Sequence, residues 1–166
     1  MTKAEQVARR VLESFWDSST GAERFPVDPV RIARSAGINV YKTELENTLS
    51  GMLAKLRPGV DPDIFLNSEH APVRQRFTCA HELGHYFAIQ GRGEDPATYI
   101  HRRDAVSSCG VDSEEIFANQ FAAELLMPAA EVRRLHAVGA DEFEMARRFN
   151  VSLDAIRIRI SNVGVA

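Results

Sequence analysis

The chain of 166 residues is 45% apolar and 26% charged, with a formal net charge of −3. That is enough apolar material for one hydrophobic core, and the length suits one ordinary domain with a small helical appendage. The slightly acidic balance excludes a broad basic field for nucleic acid or anionic lipid, and no apolar run approaches the roughly 20 residues that span a bilayer. Cys79 and Cys109 form no Cys-x-x-Cys pair and no apolar secretion signal opens the chain. Both features point to reduced thiols and a cytoplasmic protein.

Ala4, Val7, Ala8, Val11, Leu12 and Phe15 recur at three- and four-residue spacing, which predicts an amphipathic helix over residues 3–17, ended by Ser18-Ser19-Thr20-Gly21. Asp28-Pro29 opens a second, short helix as cap and first turn, and Gly37 closes it. Residues 38–43, 49–56 and 64–67 have strand character, the last two separated by the turn signal at residues 57–62. The expected sheet is small and antiparallel. A helix follows from about Val73 to Gln90. The glycines and proline of residues 91–112 predict a long loop, of a length that is usually functional or mobile. Helical spacing returns at residues 113–126 and stops at Met127-Pro128, after which two or three short helices fill residues 129–166. The fold class is α+β. The expected organisation is a core over residues 1–128 with a helical C-terminal segment, 129–166, packed on it.

Within the long helix stands His81-Glu82-Leu83-Gly84-His85. Four-residue spacing puts both imidazoles on one helix face, one turn apart, where they can grip one ion. Two neutral imidazoles bind Zn²⁺ without cancelling its charge. Glu82 then stands one step round the helix, within reach of water on the ion's open side, as general base. Phe77, Ala80, Leu83, Phe87 and Ala88 make the segment apolar, so the histidines need partners that a metal would provide. Gly84 costs the helix ~1 kcal/mol relative to alanine, which suggests that something approaches closely there.

A catalytic zinc usually takes three protein ligands and keeps one position open. The pattern His-Glu-x-x-His-x-x-Gly-x-x-His fails, because Ala88 and Gly91 stand where it needs glycine and histidine. A carboxylate on the next helix is the better candidate. Glu115, Ala118, Asn119, Ala122 and Ala123 share one face, and its small residues let that helix lie close to the histidine helix. Glu115 thereby becomes the third ligand and Asn119 the acceptor for the second N–H of a ligating histidine. His101 is the rival ligand. Asp112 and Glu114 read as a favourable acidic helix start.

The segment from Arg76 to His85, followed by the segment from Glu115 to Pro128, resembles the ImmA/IrrE family of metallopeptidases. Ser50-Gly51-Met52 and Ile64-Phe65-Leu66-Asn67 resemble the strands before the motif helix in that family, and the likeness runs from about residue 25 to the end of the chain. The resemblance implies a zincin-like, gluzincin-like fold, with His81, His85 and Glu115 on zinc and Glu82 as general base. It also implies a protein substrate, a helix-turn-helix transcriptional repressor cut to relieve repression in stress or mobile-element responses.

Other signals are weaker. Leu66 and Asn67 can belong to an edge strand to which an extended substrate adds, and Tyr99, His101 and Arg103 can contact substrate or its oxyanion. Cys79 reads as buried packing. Residues 144–156 resemble a helix-turn-helix, but Arg157 and Arg159 are the only cations of its second helix, against direct DNA binding. The alternative to an enzyme is a regulatory binding module that keeps the zinc site for stability.

Overall fold

The computed structural model describes residues 1–16, 24–93, 99–104 and 113–165; at positions 99 and 101–104 only the backbone is described. The expected helix stop at Ser18-Ser19-Thr20-Gly21, Cys109 and Asp112 lie outside the described residues.

Helix α1, Lys3–Phe15, starts in a capping box: Thr2 Oγ1 accepts from the Glu5 amide and the Glu5 carboxylate accepts from the Thr2 amide. Its inner stripe, Ala4, Ala8, Val11 and Leu12, is buried. Helix α2, Pro29–Ser35, is capped by Asp28, whose Oδ1 accepts from the amides of Val30 at 3.0 Å and Arg31 at 3.3 Å. Gly37 then leaves the helix at φ +77°, the left-handed conformation that glycine adopts without steric cost.

Strands β1, Asn39–Thr43, β2, Leu49–Lys55, β3, Asp63–Asn67, and β4, Tyr99–Asp104, form one sheet in the order β1-β3-β2-β4. β2 pairs antiparallel with β3 and with β4, whereas β1 pairs parallel with β3, Val40 opposite Ile64. The expected antiparallel sheet is therefore corrected to a mixed one. β1 does not join the hairpin on the β2 side; it passes over and lies along the far edge of β3.

Two further corrections follow from this topology. β3 is internal, hydrogen-bonded on both sides, so Leu66 and Asn67 do not stand on an edge strand open to substrate. Leu66 is a buried core residue. Asn67, fully buried, turns its Nδ2 to the carbonyls of Leu45, Glu46 and Leu49, the last at 2.9 Å, and so fixes the β1–β2 connection. The span expected to be a long loop contains β4, and it is β4 that forms the sheet edge beside β2.

Helix α3, Pro72–Gly91, runs beneath the sheet against β2 and β3 on one side, with α4, Ser113–Leu126, on the other and α1 against α4. Being covered on several sides, its middle is buried from Thr78 through His85, polar residues included. Leu53, Ile64 and Leu66 from the sheet meet Ala80, Leu83, Phe121, Ala122 and Leu125 in one core. On the outer sheet face Tyr41 stacks on Phe65, ring centroids 5.5 Å apart.

Helices α5, Ala129–Ala137, α6, Glu142–Phe149, and α7, Leu153–Val163, complete the described chain. Val132, Leu135, Met145, Phe149 and Ile156 join the same core. A buried polar knot ties them down. Glu124, fully buried on α4, pairs with Arg159 of α7 and with Arg9 of α1 and accepts from the Ala129 amide. The α6–α7 turn passes through Asn150 in the left-handed conformation, and Arg76 of α3 donates to its carbonyl at 3.1 Å. The cations of α7 are used internally: Arg157 pairs with Glu142 and Arg159 is buried on Glu124. The helix pair packs on the core through Met145, Phe149 and Ile156. Among the described residues no helix is long and apolar enough to cross a membrane.

Candidate metal centre

The motif lies in the second half of α3, where helical spacing carries His81 and His85 to the same face. Their Nε2 atoms stand 3.1 Å apart. From α4 the Glu115 carboxylate reaches both, Oε1 at 3.0 Å from His85 Nε2 and Oε2 at 3.3 Å from His81 Nε2. His81 is fully buried, His85 is 4% exposed, and the Glu115 side chain is 17% exposed. Three ligand atoms of the types that zinc prefers thus converge from two helices, and this is the grouping among the described residues that could hold a metal ion.

The spacing fits an ion. Bonds of about 2.05 Å in a tetrahedral site put neighbouring ligand atoms roughly 3.3 Å apart. The two imidazole nitrogens, 3.1 Å apart, need only a slight expansion, and each has one oxygen of the Glu115 carboxylate beside it, at 3.0 or 3.3 Å. His81 Nδ1 lies 3.0 Å from Asn119 Oδ1. That oxygen only accepts, so Nδ1 carries the proton and Nε2 presents its lone pair toward Glu115 and His85. Asn119 stands one turn along α4 from Glu115.

Why α4 comes so close is visible in two residues. A Cβ added to Gly84 would lie 2.8 Å from the Ala118 Cα and 3.2 Å from its Cβ and carbonyl oxygen. Backbone therefore meets backbone where the two helices touch, and the close approach suggested by Gly84 is that of α4. Ala118 and Ala122 are fully buried on the facing side.

Glu82 is fully buried, with its Oε1 close to β2. A residue that the sequence reading had not singled out for a role sets its surroundings. Gly51, on β2, has no room for a Cβ: one there would overlap Thr78 Cγ2, come 2.9 Å from the Phe65 carbonyl oxygen and lie 3.7 Å from Glu82 Oε1. Glycine inside a strand is itself a signal of close approach, and here it lets β2 press on α3 at the acid. Beside it, buried Ser50 accepts from Arg74 at 2.9 Å, tying the start of α3 to the same strand.

The remaining candidates are distributed as follows. Glu114 is half-exposed and pairs with Arg92 at 2.8 Å, as an acidic helix start should. Tyr99, His101 and Arg103 fall on β4, His101 opposite Leu53 and Arg103 opposite Gly51; their side chains lie outside the described part. Cys79 is a free, buried thiol whose pKa is driven well above the ordinary range, first by burial and then by the Asp28 and Glu82 carboxylates. It is packing, not a thiolate.

Comparison with known proteins agrees with this geometry. Residues 33–161 match the family described as the IrrE N-terminal-like domain, Peptidase_M78. The chain is 38% identical over 100 residues to the radiation response metalloprotease IrrE of Deinococcus radiodurans, covering 55% of this chain and 29% of that protein. It is 32% identical over 101 residues to the uncharacterized immunity region protein 2 of Bacillus phage phi105, covering 61% of this chain and 59% of that one. It therefore spans less than two thirds of either relative. A solved Mycobacterium tuberculosis transcriptional regulator shares the fold, with a TM-score of 0.61 at 20% identity over 94% of this chain and 46% of that structure. A match over most of the chain, which includes the helix that presents His81 and His85 to Glu115, makes this protein a member of the IrrE N-terminal-like (Peptidase_M78) family.

Proposed function

We propose that the chain is a cytoplasmic, gluzincin-like zinc endopeptidase that cuts a protein substrate, and that this substrate is a helix-turn-helix transcriptional repressor. The observation that carries the reading is the convergence of His81, His85 and Glu115 beside a fully buried Glu82. Among the described residues three ligands converge, the number that suits a catalytic zinc with one position open. The α3 helix under a small mixed sheet supports the zincin-like reading of the fold. The printed names of two similar proteins support the reading: one is a radiation response metalloprotease and the other an uncharacterized immunity region protein of a phage.

Zinc held by the three ligands would supply Lewis acidity, lowering the pKa of bound water toward about 7 and polarising a carbonyl. Glu82 takes the proton from the attacking water and returns it to the leaving amine; its burial keeps bulk water from competing for that proton. Asn119 holds the His81 ring in the tautomer that frees Nε2. Among the described residues β4 has a strand partner on one side only, and an extended substrate adds on the other as a further strand. Tyr99 and His101 belong to that strand, and contact with substrate passes to it from Leu66 and Asn67. Residues 129–166 act as a helical segment packed on the catalytic core.

The test uses zinc-loaded protein and a panel of purified helix-turn-helix repressors, beginning with any encoded beside its gene. Two fragments from one cut are expected, and Glu82→Gln should leave the repressor whole while zinc stays bound by elemental analysis. Cleavage by the Gln variant at the wild-type rate would refute the mechanism. A panel left intact by the wild-type protein would refute the substrate.

A further inference from the structure

A cavity of about 930 Å³ opens along the seam of α3 and α4, with α7 as its far wall. Its position ties it to the metal centre. Asn119, which holds His81, lines it, and so does Phe77, one helical turn before His81. The volume is at the upper end of ordinary ligand pockets, room for several residues of a peptide and more than one side chain needs. Phe77, Ala123, Met127 and Ile158 make much of its wall apolar, and Ile158 stands 62% exposed at the rim.

The charges in this cavity are unequal in what they have left to offer. Arg159 is buried and committed to Glu124 and Glu5. Glu5 is further held by the Thr2 amide, and Asp154 of α7 lies in the field of Arg157. Arg74 differs. It is exposed, it donates to the neutral Ser50 hydroxyl, and no carboxylate among the described residues pairs with it. It stands seven residues before His81, two turns along the same face of α3, which is about 10 Å. An extended peptide covers that distance in about three residues.

We propose that this cavity is the recognition subsite of the peptidase, taking an apolar stretch of the protein substrate that carries an acidic side chain to Arg74, about three residues from the cut bond. The proposal rests on the endopeptidase reading for the cut itself and on charge complementarity for the occupant. A guanidinium that meets a carboxylate with two parallel hydrogen bonds selects it over an amide. The apolar wall supplies area, and Arg74 supplies register.

Random twelve-residue peptides displayed on phage and panned against full-length, zinc-loaded Glu82→Gln protein provide the test. Enriched peptides should share Asp or Glu near Leu, Ile, Phe or Met, and changing that acid to its amide should weaken binding about tenfold. Arg74→Glu in the same background should reverse the choice to Lys or Arg, and Arg74→Gln, an uncharged side chain that can still donate to Ser50, should lose the preference for an acid; circular dichroism and a thermal melt check the fold of both. No enrichment, enrichment without an acid, or an unchanged set with Arg74→Glu overturns the subsite. The enriched peptides are then given to protein with native Glu82. Peptides bound as expected but never cut uphold the subsite and refute the peptidase reading. Peptides cut equally well after the acid becomes an amide overturn the subsite and leave the peptidase standing.

Discussion

Replacing Gly84 with alanine sets two effects of opposite sign against each other. In an ordinary helix interior the change stabilises by about 1 kcal/mol, because glycine is the more flexible residue. At this position the new Cβ would lie 2.8 Å from the Ala118 Cα, where carbon atoms normally rest about 3.5–4.0 Å apart. The contact is backbone, so no rotamer change relieves it and α4 must move outward by up to about 1 Å. Overpacking of that kind costs roughly 1–3 kcal/mol, which outweighs the helical gain. The apo protein should therefore lose up to about 2 kcal/mol, or several degrees in Tm for a domain of this size. The larger consequence is at the metal. Glu115 is one turn before Ala118 on α4, and its oxygens stand 3.0 and 3.3 Å from the two imidazoles. A shift of α4 takes that carboxylate off the ion, and zinc affinity should fall about tenfold or more. In excess zinc the stability deficit then grows by about 1.4 kcal/mol for each factor of ten, through linkage. Thermal melts in chelator and in zinc, with a competition titration against a chromophoric chelator, measure both parts. An alanine variant that melts higher than wild type and binds zinc as tightly would refute the backbone contact as the device that sets the ligand geometry.

Three further outcomes are expected. Asn119→Ala frees the His81 ring to take the other tautomer, and zinc affinity should drop roughly 10–100-fold in the same titration with the fold retained by circular dichroism. Arg159→Met leaves Glu124 buried beside only the half-exposed Arg9, and chemical unfolding should show a loss of about 3–5 kcal/mol; a loss under about 1 kcal/mol would mean that the knot is not desolvated. Hydrogen bonds from Arg134 and Arg148 hold Glu131 below its ordinary pKa of 4.5. A lowered folded value means that the stabilisation is complete above the unfolded pKa and fades as pH falls through the folded one. Glu131→Gln should therefore flatten the acid limb of the stability curve below about pH 4.5, by less than about 1 kcal/mol because both arginines are half-exposed.

The parts of the fold readable from sequence are those in which one segment decides its own structure. The caps at Asp28 and the periodicity of α1, α3 and α4 are local, and so is the one-turn spacing of His81 and His85. The approach of Glu115 was readable for a related reason, since Gly84, Ala118 and Ala122 record the interhelical distance in their own size. What failed is neighbour choice. Alternation along β3 tells which residues face the core but not which strand lies on either side, so the parallel partner β1 and the internal place of Asn67 were invisible. β4 was hidden differently. Its sequence, Tyr-Ile-His-Arg-Arg-Asp, carries charges where a half-buried strand would alternate, and an edge strand is free to do so. The acid's surroundings depended on a strand glycine, Gly51, whose meaning appears only when α3 is laid beside it.

The pairing of Glu124 with Arg159 has a consequence for anyone who would shorten this protein. A chain stopped after Pro128 keeps every proposed zinc ligand and the general base, yet it strips the buried carboxylate of its closest counter-charge and of the Ala129 amide. Such a fragment should let water into the α1–α4 seam at Glu124. Loss of solubility or of zinc retention in that truncation would then report an orphaned acid far from the metal, and not a missing catalytic part.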